Sequence, residues 1–127
     1  QEEGLNSIFK RHKKHMNATQ EAMKSIGLKL FAKEGYGSPA ITSVLPSNNI
    51  NPEEIRKYIK NNYDILLAGG QDHLKGKIFR IGHLGFINDR DIITAVAAIE
   101  STLEDLNLLS QPLGTGVAKA AKILNKR

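Results

Sequence analysis

The sequence predicts a two-layer α+β domain in which a short mixed or antiparallel sheet is covered by helices on one face. Long stretches repeat apolar residues at three- and four-residue steps, as helices do, while short apolar runs bounded by glycine and proline are typical of strands. These elements follow one another in the order helix, two strands, helix, two strands, helix. The chain has 127 residues, which is the length of one domain.

Three amphipathic helices account for most of the apolar periodicity. The first covers residues 3–26, and its inner stripe consists of Leu5, Ile8, Phe9, His12, Met16, Thr19, Met23 and Ile26. The second begins at Asn51, which is followed by Pro52 at the first helical position and Glu54 at the capping-box position. The third follows Asn88, and its apolar stripe consists of Ile92, Val96, Ile99, Leu103 and Leu106. We expect these apolar faces to cover the sheet.

Four short segments are predicted to be strands. They are residues 28–31, 40–45, 65–68 and the part of 77–85 that surrounds Arg80. Beyond residue 107 the apolar pattern loosens through a proline and two glycines. Residues 1–107 are therefore predicted to form the domain, and residues 108–127 a C-terminal tail with a short helix over 117–124.

The composition excludes several classes of protein. Without cysteine, this chain can form no disulfide, thiolate nucleophile or cysteine-ligated zinc or iron–sulfur site. No apolar run reaches membrane-spanning length, and the first residues lack the features of a signal peptide. We expect a cytoplasmic protein without a membrane partner. The start at Gln1, without a methionine, favours a fragment of a longer polypeptide.

The formal charge of +5 raises the question of nucleic-acid binding. The densest basic run, from Lys10 to His15, lies on a predicted helix, where successive residues turn by about 100° and spread around the axis. Moreover, no aromatic residue interleaves with this run as a base-stacking platform would. We therefore predict no nucleic-acid partner.

Arg80 is the candidate ligand-binding residue. In an extended segment Phe79 and Ile81 point to one face of the sheet, while Ile78, Arg80 and Gly82 point to the other. A guanidinium suits bidentate capture of a carboxylate, and a neighbouring glycine allows close approach to the backbone. The alternative is an arginine that is solvated or paired with a carboxylate of its own domain. The pattern permits both interpretations.

Two glycine-rich segments resemble nucleotide-binding motifs incompletely. Residues 70–77 place the glycine–lysine pair of a phosphate-binding loop one residue away from its position, and Ile78 replaces the serine or threonine that holds magnesium. Gly114-Thr115-Gly116 is followed by Lys119 where a dinucleotide fingerprint has its third glycine. Neither segment predicts a nucleotide site.

The four histidines do not predict a metal site or a catalytic residue. His12 lies on the apolar stripe of the first helix, whereas His15 is predicted to be solvated surface. His73 and His83 could converge near Arg80, but no carboxylate accompanies them at ligand spacing.

Several segments together carry a family resemblance. They are Glu2-Glu3-Gly4-Leu5 with the basic helix that follows, residues 34–40 (Glu-Gly-Tyr-Gly-Ser-Pro-Ala), residues 67–70 (Leu-Ala-Gly-Gly), Gly76-Lys77 and residues 80–85 (Arg-Ile-Gly-His-Leu-Gly). In order and spacing over residues 1–107, they resemble the C-terminal small domain of the class V, fold-type I pyridoxal-phosphate aminotransferases of the alanine–glyoxylate and serine–glyoxylate (serine–pyruvate) type. Some relatives carry the name of a soluble hydrogenase small subunit.

The resemblance implies the small-domain fold and transfer of an amino group from alanine or serine to glyoxylate or pyruvate. It also implies that Arg80 holds the substrate α-carboxylate, and that a homodimer forms when the protein is intact. The pyridoxal 5'-phosphate, with its lysine, belongs to a large domain expected upstream of Gln1. Lys75 and Lys77 match no cofactor-lysine motif, so we expect no catalytic, cofactor-binding or metal-binding residue in this part, and no activity from it alone. The alternative is a stand-alone basic α+β module that binds an acidic partner or nucleic acid.

Overall fold

The computed structural model describes residues 2–30, 41–46, 50–65, 67–70, 76–82 and 88–125. Its elements in chain order are α1 (Glu2–Ser25), β1 (Lys29–Leu30), β2 (Ile41–Leu45), α2 (Pro52–Tyr63), β3 (Ala68–Gly69), β4 (Phe79–Gly82), α3 (Asp89–Asp105) and α4 (Thr115–Leu124). The strands form one antiparallel sheet in the order β1-β2-β4-β3. The predicted α+β class is thereby confirmed, and the sheet is antiparallel rather than mixed.

The sheet separates its two faces as strand alternation requires. Phe79 and Ile81 of β4 are buried in the hydrophobic core, and Val44 lies opposite Phe79 on β2. Arg80 lies between these two core residues and therefore points to the other face. On that face its neighbours across the ladders are Ser43 and Ala68.

Among the described side chains of α1, burial confirms Thr19 and Met23 of the predicted stripe, with Ile26 just after the helix, while Met16 is half-buried. The helix also buries His15, Ala18 and Ala22. The predicted surface position of His15 is wrong, because its ring is fully buried and Nε2 lies 2.9 Å from Oδ1 of Asp89. The predicted stripe also includes positions 5, 8, 9 and 12, whose side chains are not among those described.

Side-chain caps fix the starts of α2 and α3. Asn51 accepts a hydrogen bond of 2.9 Å from the backbone N–H of Glu53, and Pro52 occupies the first helical position as predicted. At α3, Asn88 and Asp91 form a reciprocal capping box with bonds of 2.9 and 3.0 Å. Because β4 leads towards α3, this cap fixes where the chain returns to the helical layer.

The helix α4, predicted over 117–124 and observed over Thr115–Leu124, packs against α1 and α3. Its N-cap, Gly114, has a φ of 102° and offers no side-chain cap. Glu100 of α3 replaces that cap: its carboxylate accepts the backbone N–H groups of Gly114, Gly116 and Val117 at 2.8, 3.0 and 3.1 Å. A buried acidic residue thus holds the end of one helix against another.

None of the helices in the described ranges is both long and apolar enough to cross a membrane.

Candidate functional site

Arg80 projects from the sheet face opposite the hydrophobic core. It is half-buried, and its Nε donates a hydrogen bond of 2.7 Å to the backbone carbonyl of Gly69. This bond fixes the base of the guanidinium against the neighbouring strand β3. The two terminal nitrogens, Nη1 and Nη2, make no hydrogen bond to any described residue. As far as the described residues show, the arrangement therefore leaves Nη1 and Nη2, the two nitrogens that recognise a planar anion, available for a ligand.

Arg56 of α2 binds the residue that directly precedes β3. Its Nε donates to the carbonyl of Leu67 at 2.9 Å, and its Nη1 donates to Oε1 of Glu53 at 2.6 Å. A Cβ atom at Gly69 would lie only 2.8 Å from Nη1 of Arg56. A side chain at position 69 would therefore push the end of the Arg56 side chain aside, away from its position beside this strand.

The two arginines differ in electrostatic environment. Arg56 is paired with Glu53, whereas no carboxylate of the described residues lies within salt-bridge distance of Arg80. The interpretation that Arg80 pairs with a carboxylate of its own domain is thus not supported by the part of the chain that is described. A half-buried guanidinium that no described carboxylate neutralises is suited to bind an anion.

Ser43 lies directly opposite Arg80 on β2. It is only 3% exposed, and its Oγ has no hydrogen-bond partner among the described residues. Sequence reasoning missed both Ser43 and Arg56. The signals were a polar residue in a β-strand pattern and an acid–base pair at i,i+3 on a helix.

The histidines and lysines considered in the sequence are not brought to this site within the described residues. His73, His83 and Lys75 lie outside those residues, and Lys77 is exposed in the turn before β4. His15 contacts Asp89 instead. The described ranges contain no group of three histidine, aspartate or glutamate side chains that could hold a metal ion.

The basic run on α1 is more concentrated than predicted. Lys10, Lys13 and Lys14 line one shallow depression of about 340 Å³ together with Met16 and Asn17. Residues three and four apart lie on the same side of a helix, so these three lysines form a stripe instead of spreading around it.

Comparison with known proteins gives a consistent relationship over almost the whole chain. No protein-family model matches the sequence. The chain is 52% identical over 125 residues to a soluble hydrogenase small subunit from Synechococcus sp., which covers 98% of this chain and 32% of that protein. It is 34% identical over 126 residues to a serine–glyoxylate aminotransferase from Methylorubrum extorquens, covering 98% of this chain and 31% of that enzyme.

The fold agrees with the sequence relationship. The crystal structure of ureidoglycine–glyoxylate aminotransferase from Bacillus subtilis matches with a TM-score of 0.88 at 28% identity, over 98% of this chain and 32% of that one. The chain thus spans about one third of the length of the relatives it matches. In sequence and in fold it is similar to about one third of the class V aminotransferases of the serine–glyoxylate and alanine–glyoxylate type, and its architecture matches an α+β aminotransferase small domain.

Proposed function

We propose that this chain is the C-terminal small domain of a pyridoxal-phosphate-dependent aminotransferase, in which Arg80 binds the α-carboxylate of the substrate. The observation that carries the proposal is the state of the guanidinium. Its Nε is held by the Gly69 carbonyl at 2.7 Å, and no described carboxylate neutralises it. The family relationship supplies the reaction class.

The chain's own contribution is to bind and orient the substrate. Nη1 and Nη2 of Arg80 can donate two parallel hydrogen bonds to the two oxygens of a carboxylate. Because Nε is fixed on β3, the plane of the guanidinium is set before the substrate binds, and less rotational freedom is lost on binding. An amino acid held in this way has its α-carbon at a defined distance from the sheet.

Pyridoxal phosphate, when bound, supplies the electron sink for amino-group transfer. Among the described residues around Arg80, its own terminal N–H groups are the donors that fit a substrate carboxylate, and none of these residues forms a cofactor lysine site or a phosphate-binding cradle. We assign the cofactor to the other two thirds of the polypeptide, in keeping with the share of the relatives that this chain spans.

The relatives' names guide the choice of substrates. Serine–glyoxylate and alanine–glyoxylate aminotransferases are among the matches. We therefore propose alanine or serine as the amino donor and glyoxylate or pyruvate as the acceptor. We further propose that this domain packs against the large domain of its own polypeptide, and that the complete protein is a cytoplasmic homodimer.

The test is an Arg80→Ala variant of the complete polypeptide, assayed for amino transfer from alanine and serine. Removing one member of a buried charge pair costs about 2–5 kcal/mol in kcat/KM, which corresponds to a loss of roughly 30-fold to several thousandfold. Arg11→Ala, at an exposed position on α1, is the matched control and is expected to keep normal kinetics. Near-normal kinetics for Arg80→Ala would rule out this role.

A second function has one observation in its favour, which is the stripe of Lys10, Lys13 and Lys14. As a stand-alone basic module, the chain would bind an acidic partner or nucleic acid through this stripe. Such binding would weaken steeply with salt, because counterions are released on association. Titration of a fluorescent oligonucleotide at several salt concentrations tests it, with a variant in which all three lysines are glutamine as the control. The aminotransferase proposal predicts no binding to either protein.

A further inference from the structure

The hydrogen bonds of Arg80 can be accounted for one by one. A guanidinium has five N–H donors and no acceptor. One donor, on Nε, is used by the carbonyl of Gly69. A bidentate carboxylate would use two more, one on each terminal nitrogen. Two donors then remain, and when a substrate covers the site they need acceptors from the protein, because a buried donor without a partner is costly.

The acceptor nearest in the strand register is the hydroxyl of Ser43. Residues directly opposite each other in an antiparallel ladder have their Cβ atoms about 4.5–5.5 Å apart and on the same face. Ser43 stands in this relation to Arg80 on β2, while Ala68 occupies the equivalent place on β3. Of the two neighbours, only Ser43 has a side-chain acceptor.

The state of the hydroxyl is unusual for a residue with a purely structural role. Ser43 is 3% exposed, and its Oγ has no hydrogen-bond partner among the described residues. Burying a hydroxyl without a partner disfavours folding, so an alanine would be at least as stable at this position. Buried polar groups of this kind call for an explanation, and an interaction made only in the ligand-bound protein is one.

We propose that Ser43 is a positioning residue for Arg80. When a carboxylate is bound, its Oγ accepts an N–H from a terminal nitrogen of the guanidinium. The two strands then hold Arg80 from both sides: β3 through the Gly69 carbonyl and β2 through the Ser43 hydroxyl. This inference rests on the proposed carboxylate-binding role of Arg80 and adds the residue that orients it.

The experiment uses the complete polypeptide with its cofactor and three variants, Ser43→Ala, Ser43→Thr and Arg80→Gln. Binding of 2-methylalanine, which has the α-carboxylate but no α-hydrogen to transfer, is measured by calorimetry. KM and kcat for alanine and the free energy of unfolding in urea are measured on the same proteins.

Ser43→Ala is expected to weaken 2-methylalanine binding and raise KM about tenfold, as for one lost hydrogen bond to a charged group. Its kcat should stay within about twofold of the unmodified protein, and its unfolding free energy should not decrease, because the lost hydroxyl has no partner in the unliganded state. Ser43→Thr keeps the hydroxyl and should restore most of the binding. This combination of weaker binding with undiminished stability is not expected of a structural residue.

The outcomes separate the two proposals. If Arg80→Gln leaves 2-methylalanine binding unchanged, the carboxylate role of Arg80 fails, and the inference about Ser43 fails with it. If Arg80→Gln weakens binding and Ser43→Ala does not, only the inference about Ser43 is refuted. A loss of unfolding free energy in Ser43→Ala that accounts for its kinetic change, without recovery in Ser43→Thr, would also refute the inference.

Discussion

Replacing Glu100 with glutamine should weaken the attachment of α4 to α3. The Glu100 carboxylate is almost fully buried and accepts three backbone N–H groups at the start of α4. Glutamine keeps the volume and one carbonyl oxygen, but it replaces the other acceptor with a donor. The change therefore tests the hydrogen bonds without opening a cavity.

The magnitude follows from the three bonds. The amide oxygen can keep the bonds from Gly114 and Gly116, each weakened because the acceptor is no longer charged, at a cost of about 1 kcal/mol in total. The amide nitrogen then faces the N–H of Val117 and leaves it unpaired, at a cost of about 1–2 kcal/mol because this group is only partly buried. The free energy of unfolding should therefore fall by about 2–3 kcal/mol, a large part of the stability of a small domain.

Urea unfolding followed by far-ultraviolet circular dichroism measures this loss. Glu104→Gln, one turn further along α3 at an exposed position, is the matched control and should change the stability by no more than about 0.5 kcal/mol. Amide hydrogen exchange adds a local readout, since the N–H groups of Gly116 and Val117 should exchange faster in Glu100→Gln. Equal stability of the two variants, with unchanged exchange at α4, would refute the reasoning.

Two further predictions concern contacts between helices. Tyr58 and Tyr63 both donate to Oδ2 of Asp105 at 2.9 and 3.1 Å, and their pKa values are raised above 10.0, for Tyr58 mainly by this hydrogen bond and for Tyr63 mainly by burial. The two hydrogen bonds therefore stabilise the folded state at pH values below the unfolded-state tyrosine pKa, and this stabilisation is lost as pH rises through the raised pKa values. In an ultraviolet titration the two tyrosines should ionise late, and Asp105→Asn should move their titration midpoint to lower pH. An unmoved midpoint would contradict this. For His15 and Asp89, a double-mutant cycle in urea unfolding should give a coupling of about 1 kcal/mol, whereas additive effects would show that the pair does not stabilise the contact between α1 and α3.

Local signals were sufficient to predict most of the fold. Asn51 with Pro52 and Asn88 before an apolar stripe placed the starts of α2 and α3, because caps and periodicity are properties of neighbouring residues. The alternation around Arg80 likewise gave the two faces of β4, with Phe79 and Ile81 in the core.

Features that depend on distant partners were not predictable in this way. His15 was expected at the surface since histidine is polar, yet Asp89, far along the chain, gives its ring a partner and allows its burial. The role of Glu100 has no local signal for the same reason, and in the sequence Gly114 and Gly116 indicate only a loosened apolar pattern and an incomplete nucleotide motif. In the structure both glycines donate their N–H groups to the Glu100 carboxylate, and a Cβ at Gly116 would lie 3.1 Å from Oε1 of Glu100, which no local pattern indicates.

The candidate site depends partly on local signals. Arg80 is a candidate because of its place in an alternating strand and because of the family resemblance, and its role stays a prediction. The role proposed for Ser43 depends on the strand register that places it opposite Arg80. Residue spacing along one strand contains no information about register with another.

The two arginines also affect how the sheet meets other molecules. Within the described sheet β3 is an edge strand, and edge strands with free backbone groups can pair with strands of other chains and start aggregation. Here the carbonyls of Leu67 and Gly69 are already occupied by Arg56 and Arg80, and both occupants are charged. An incoming strand that used these two carbonyls would have to displace the arginines, so the contact that orients the Arg80 guanidinium also removes an acceptor from intermolecular β-pairing.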